Sequence, residues 1–246
     1  MDFIKTVMNH RSIREFEDKK VSDEHLKIII DGVMRTASSS ALQQASVIRI
    51  TDSDKKKAIA QFCGQEFIGR FPEFFIFIVD LYRNERIIKD HNKYEQRESH
   101  VDKFLQGFTD AVLMAQNANN IIESLGMGGV FIGNILSDPQ QMIEILNLPE
   151  LTFPVLGLGF GYPNENPNLK PRIPTEYRLF ENEYKIFDNY KNEIKEYDEE
   201  ISKYMDLRFP DKTTDPFSTQ VIERNKITSP LRIKLLEVAK SNGFKL

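Results

Sequence analysis

The chain is poor in the residues on which many kinds of chemistry depend. Its 246 residues include one cysteine, Cys63, no tryptophan and four histidines. A single thiol excludes an internal disulfide and any centre built on several thiolates, which fits a cytosolic, cytoplasmic protein. The histidines stand at 10, 25, 91 and 100, with no metal-ligand spacing between them, so no metal site is expected. No stretch approaches the roughly 18 apolar residues that cross a bilayer. The opening MDFIKTVMNH has no long apolar run and is not expected to be a secretory leader. GxSxG and GxxxxGK[ST] are both absent, so neither an esterase-type nucleophile nor a P-loop is indicated. A net charge of −4 and a pI near 5.7 argue against a nucleic-acid surface as the main role.

What remains is ample for a folded core: 40% of residues are apolar and 28% charged. Asp2 is placed to cap a short helix with Phe3, Ile4, Val7 and Met8 on one face. Ser22 opens a second helix, its apolar residues from Leu26 to Ala37 recurring at three and four. SVIRIT (46–51) and FFIFIVDLY (74–82) read as strands. The second is apolar at nearly every position and should lie inside a sheet. Residues 83–103 form a polar excursion, either a mobile segment or a surface helix. A long periodic helix follows over 104–126, with Phe104, Phe108, Ala111, Val112, Ala115, Ala118, Ile122 and Leu125 on one side and Gly126 ending it. Asp138, Pro139 and Gln141 open another helix. FPVLGLGFGYP (153–163) is a further strand. Beyond it, 189–205 reads as a charged helix with Tyr190, Ile194, Tyr197, Ile201 and Tyr204 on one face. A last helix is expected over 229–243, opened by Ser229 and Pro230 and closed by Gly243. A Pro/Thr/Asp-rich connection at 209–218 joins these two. The whole reads as one α+β domain with a C-terminal extension too thin for a core of its own.

Against the acidic background, HRSIREF (10–16) gathers His10, Arg11, Ser12 and Arg14. On a helical turn Arg11 and Arg14 would point the same way, and guanidinium forks suit phosphate oxygens. In LKPRIP (169–174), prolines stiffen a segment carrying Lys170 and Arg172. In GMGGVFIGN (126–134), Gly128, Gly129 and Gly133 let backbone approach a flat ligand or another chain. Ser38, Ser39 and Ser40 offer hydroxyls at a helix end. Taken alone, they also read as a solvated patch, a solvated loop, a turn between helices and a frayed end, respectively. Cys63 reads as a structural thiol.

Their order carries more than any one of them. NHRSIREF, TASSSALQQASVIRI, CGQEF, GMGGVFIGNI and LGLGFGYPNENPNLKPRIP, in that succession, resemble the nitroreductase family. More narrowly, the chain looks like its NADPH-dependent flavin reductase and oxygen-insensitive nitroreductase subgroup. The resemblance covers about residues 4–185 and continues more loosely in the C-terminal arm. It implies a central, mostly antiparallel sheet flanked by helices, with an FMN-binding domain over 1–185. A helical extension over 186–246 would pack on the body or wrap a partner subunit. It implies a homodimer with one non-covalent FMN per subunit. It also implies a two-step exchange: NADPH or NADH delivers a hydride to FMN and leaves, and a nitroaromatic, quinone or free flavin then takes its place. His10, Arg11, Ser12 and Arg14 would join Lys170 and Arg172 around the phosphate and ribityl end. Ser38, Ser39 and Ser40 would reach the flavin from the partner. Gln65 would bond the ribityl or ring region, and Phe131, Ile132 and Gly133 would lie along the isoalloxazine. No catalytic side chain is implied, because the cofactor carries the chemistry. The family often has tyrosine where Phe131 stands and glycine where Asn134 stands. NADPH-preferring members often carry an arginine just after that turn, where Asn134, Ile135 and Leu136 offer none. NADH and NADPH therefore both remain open as donors. A flavin-binding or flavin-trafficking protein without turnover is the alternative.

Overall fold

The computed structural model describes residues 2–91, 100–226 and 230–246. The chain divides into two compact units, one of Met1–Glu165 with Ser229–Leu246 and the other of Asn166–Thr228. The boundary between these units falls earlier in the chain than the division expected at 185/186.

The first unit is built on four antiparallel strands: β1 (Ala45–Arg49), β2 (Glu73–Asp80), β3 (Gly128–Ile132) and β4 (Thr152–Gly161), in the order β1-β2-β4-β3. The continuous apolar run of β2 puts it inside the sheet, as its sequence requires. Alternate side chains feed two cores. Phe75, Phe77 and Val79 face one side, where the helix α5 (Val101–Ser124) lays Ala111, Ala115, Ala118 and Ile122 against the sheet. Phe74, Ile76 and Ile78 face the other, covered by α3 (Ser53–Cys63) and α6 (Pro139–Leu146) through Ile59, Met142 and Ile143. Small residues along the α5 stripe let the helix approach closely. Val112, expected in that stripe, is largely exposed.

Caps behave as local chemistry demands. Asp2 accepts from the Ile4 amide at the start of α1 (Phe3–Met8), Ser22 from His25 at the start of α2 (Asp23–Val33), and Asp138 from Gln141 at the start of α6. Gly126, at φ +78°, follows the end of α5. The start of the polar excursion is a helix, α4 (Tyr82–Asp90), while residues 92–99 lie outside the described residues, as does the expected cap Ser229.

One reading is corrected here. Residues 126–134, read as a turn between helices, contain the edge strand β3. Two consecutive glycines lower its apparent strand propensity. The helix α3 carries its own caps, Asp52 before it and Gly64 at φ +62° after it.

In the second unit the helix expected over 189–205 is two short ones, α7 (Tyr190–Glu193) and α8 (Lys195–Ile201), broken at Ile194. Ile194, Tyr197 and Ile201 are buried as expected. The connection at 209–218 leads into α9 (Phe217–Lys226), whose Ser218 amide and hydroxyl both donate to Asp198. The chain then returns to the first unit as α10 (Pro230–Ile233) and α11 (Leu235–Ser241). There Asn242 accepts from the Leu151 amide at 2.7 Å, and Phe244 meets Phe104 edge-on with ring centroids 4.9 Å apart.

Candidate functional site

The basic motif is a strap laid along the free edge of β3. α1 ends at Met8 and the chain runs on in irregular, bridged conformation, so Arg11 and Arg14 do not share a helical turn as their spacing suggested. Ser12 bridges Gly129 in parallel, and the Ile13 amide donates to the Gly129 carbonyl at 3.0 Å. Further on, the Glu17 amide donates to Tyr162 and the Asn164 amide to Glu15. Glu165 accepts from the backbone amides of Arg14 and Glu15. Ile13 is the apolar anchor, buried beneath the strap.

Gly128 makes room for this strap and Gly129 for α5 behind it. A Cβ at 128 would lie 2.5 Å from Ile13 Cγ1, and one at 129 would lie 2.7 Å from Asn119 Oδ1. Gly133 differs, because a Cβ there would meet nothing within 4 Å. The three glycines, read together from the sequence as a place of close approach, therefore divide by role. Two admit the protein's own side chains, and one faces open space.

The strap presents His10, Arg11, Ser12 and Arg14 together. His10 Nδ1 lies 2.5 Å from Glu123 Oε1, on the last turn of α5. The carboxylate has no proton to give, so Nδ1–H donates and the ring is held by that bond. Arg11 Nη1 donates to the Asn9 carbonyl at 3.3 Å, while its Nε is buried with no partner among the described residues. Arg14 Nη1 donates to the Ser12 carbonyl at 3.4 Å.

At the other end of β3, the turn 131–133 meets the end of α3. Asn134 Nδ2 donates to the Cys63 carbonyl at 3.2 Å, which ties Gly133 to the Gly64–Gln65 turn. Gln65 Oε1 is buried and, among the described residues, has no partner. Ile132 points its side chain into the core, so it has backbone alone to offer a ligand, whereas Phe131 is half-buried beside Leu158. Burial pushes the Cys63 thiol up to about 12, as befits a structural thiol.

Ser38–Ser40 lie elsewhere. Their loop precedes β1, the opposite edge strand. Ala45 stands level with Val79 and through it with Phe153, whereas Gly129 stands opposite Phe160. The two sites are thus separated by three strand spacings, about 14 Å, and by seven positions along β4, about 23 Å. One chain does not bring the serine loop to its own strap.

Lys170 and Arg172 belong to the second unit. Arg172 Nη1 donates to the Lys170 carbonyl at 3.1 Å. Lys170 lines a cavity of about 210 Å³ with Arg208, Lys212 and Arg224. Burial holds its ammonium below the ordinary lysine range; Asp206 opposes the shift, and Arg224, Arg172 and Arg208 reinforce it.

Sequence reading missed the acids that stand behind these motifs. Glu123 and Asp110 sit on the buried face of α5, one behind the basic strap and one behind the serine loop. The signal was an acid interrupting an apolar stripe, a pattern that names no partner.

Residues 7–162 match the nitroreductase family, and residues 170–246 match the C-terminal domain of that family. The chain is 39% identical over 180 residues to an oxygen-insensitive NADPH nitroreductase of Salmonella typhimurium, covering 73% of each protein. Among solved structures, a hypothetical oxidoreductase of Bacillus subtilis, YcnD, superposes with a TM-score of 0.92 at 32% identity, covering 100% of this chain and 99% of that one. An NADPH:FMN oxidoreductase of Vibrio harveyi, solved in complex with NAD+, superposes with a TM-score of 0.85 at 32% identity, covering 99% and 98%. With both segments matched, and with an antiparallel sheet flanked by helices as its motifs implied, this chain belongs to the nitroreductase family.

Proposed function

We propose that the protein is an FMN-dependent NAD(P)H oxidoreductase that reduces nitroaromatics or flavins, with quinones as further acceptors. The relatives support the activity: the Salmonella protein is named an NADPH nitroreductase, and the Vibrio structure an NADPH:FMN oxidoreductase. The donor sets fit the cofactor. A phosphate needs several charge-assisted donors, and the strap offers His10, two guanidinium groups and the Ser12 hydroxyl. A flavin ring and ribityl chain need polar partners and bare backbone, and Gln65 and Gly133 offer these side by side. The observation that carries the reading is Arg11 Nε, a buried donor without a partner among the described residues, on a segment that also carries His10, Ser12 and Arg14.

FMN, when bound, supplies the group that accepts and returns a hydride. The chain's own part is to hold, orient and exclude. His10, fixed by Glu123, and Arg11 and Arg14 grip the phosphate end. Gln65 bonds the ribityl or ring edge. The backbone of 131–133 lies along the ring, with Phe131 beside it. Lys170 and Arg172 enter the proposal as further phosphate donors on the strength of the resemblance. Ser38–Ser40 serve the flavin of a second copy, which accords with their place at the far corner of the sheet. A homodimer is part of this reading. Phe3, Ile4, Val7 and Met8 on α1 and Leu105 and Leu113 on α5 are exposed apolar side chains that a second copy would cover. The division of roles at 185/186, a wrapping extension and a cytoplasmic location belong to the same proposal; no helix among the described residues is long and apolar enough to cross a membrane.

Purification tests it directly. The protein should be yellow, should release FMN on heating, and should oxidise NADH or NADPH with a nitro compound well above the rate of free FMN. Side-by-side titration of the flavin absorbance with the two nucleotides decides between donors. A colourless protein that refuses added FMN would sink the proposal.

A further inference from the structure

The serine loop is held in a conformation its own residues disfavour. Ser40, Ala41 and Gln43 lie at φ +53°, +55° and +50°, the left-handed region, and none is glycine. Such a conformation persists only where its surroundings over-determine it. Here they do. Asp110 of α5 is 1% exposed; its Oδ1 accepts from the Ser39 amide at 2.8 Å and its Oδ2 from the Gln44 amide at 3.3 Å. These two amides bracket the left-handed residues. Gly107, one turn before Asp110, lets the helix come close enough: a Cβ there would stand 2.6 Å from the Gln44 carbonyl oxygen. From the side, α4 adds Arg83, which donates to the Gln43 carbonyl, and Asn84, whose Nδ2 donates to the Leu42 carbonyl at 3.1 Å.

All this bracing ends in an exposed tip. Ser40, Ala41, Leu42 and Gln43 are open to solvent, and Leu42 is 44% exposed. A buried carboxylate clamped to two amides is a heavy device for a tip whose side chains are open to solvent. We propose that Asp110 is a positioning residue: it fixes the left-handed loop so that Ser38–Ser40 are presented in one geometry to the flavin held by a second copy of this chain. The inference rests on the reading that the serine run meets that flavin, and it assigns the job of aiming it to a residue with no contact of its own to the ligand.

The test measures FMN binding to the apo-protein by flavin fluorescence, alongside subunit association and melting temperature. Asp110→Asn keeps one acceptor and turns an NH₂ toward an amide, so one clamp bond is lost. It should weaken FMN binding about tenfold while the protein remains associated as the wild type is. A purely structural brace makes the same first prediction, so a second variant separates the two. Asp110→Asn with Ala41→Gly and Gln43→Gly removes strain at two positions without touching a serine. Its melting temperature should return toward wild type while FMN affinity stays low, because glycine relaxes the loop without aiming it. Affinity that recovers together with melting temperature would overturn the positioning role, as would wild-type affinity in Asp110→Asn. Ser39→Ala with Ser40→Ala tests the underlying reading separately. It should weaken FMN binding; wild-type affinity there would remove the serine–flavin contact, and the proposal with it.

Discussion

Replacing Gly128 by alanine should detach the basic strap from β3. The new Cβ would sit 2.5 Å from Ile13 Cγ1, 2.9 Å from Ile13 Cβ and 3.3 Å from Pro163 Cγ. A rotamer change cannot relieve this, because the contact at 2.9 Å is with the branched Cβ itself. The strap must move, and two interactions go with it. Burial of Ile13 is worth about 1.5–3 kcal/mol. The bond from its amide to the Gly129 carbonyl is worth about 0.5–1.5 kcal/mol. Together they set a cost of about 3 kcal/mol for holding the strap where His10, Arg11 and Arg14 face one ligand. If FMN must restore that geometry to bind, its affinity should fall by about 100-fold. FMN fluorescence titration of the apo-protein reads the affinity, and hydrogen exchange at the Ile13 amide reads the strap. Gly133→Ala is the matched control. Its Cβ meets nothing, so apo stability should hold or rise by about 0.4–1 kcal/mol through a stiffer unfolded chain. Any loss of FMN affinity in Gly133→Ala then reports the ligand's own need for bare backbone. Fast exchange at Ile13 with unchanged FMN affinity in Gly128→Ala would refute the view that the strap holds the cofactor.

Glu123→Ala should weaken FMN binding by about 1–3 kcal/mol, because it frees the His10 ring it now holds, while Glu123→Gln, which keeps an acceptor for Nδ1–H, should lose less; equal losses would show that charge rather than orientation is at stake. Arg49→Ala leaves the buried Glu73 carboxylate without its two bonds of 2.7 and 2.6 Å, and urea unfolding should register a loss of about 3 kcal/mol, softened by the charge of nearby Lys56; a loss under about 1 kcal/mol would contradict this. The Cys63 thiol, raised by burial from 9.0 to about 12, contributes stability that is whole below pH 9 and is lost as pH rises toward 12, since only the unfolded chain releases the proton in that window. Unfolding free energy should therefore fall more steeply with alkaline pH in the wild type than in Cys63→Ala, and the native thiol should resist alkylation at pH 9; parallel pH profiles would argue against the assignment.

What the sequence could reveal follows from where each signal lies. Strand β2 was legible because burial on both faces leaves an uninterrupted apolar run. Helices α2 and α6 were legible because a cap acts within three residues of itself. The basic motif, the serine run and the KPR loop were legible as a set, since their order along the chain is a property of sequence. Strand β3 was not legible, and neither were the acids behind the loops, for one shared reason. The need for Gly128 is set by Ile13, that for Gly129 by Asn119, the place of Glu123 by His10 and that of Asp110 by Ser39 and Gln44. Each partner is distant in sequence and becomes a neighbour only once the sheet has formed. Gly128, Gly129 and Gly133 make the point most sharply. All three lack a Cβ, and nothing local separates a glycine that admits its own chain from one that can admit a ligand. Only the fold distinguishes them: Ile13 of the strap fills the space at 128, Asn119 of α5 fills it at 129, and 133 is left open, so that the same glycine-rich string both builds the edge of the site and offers it bare backbone.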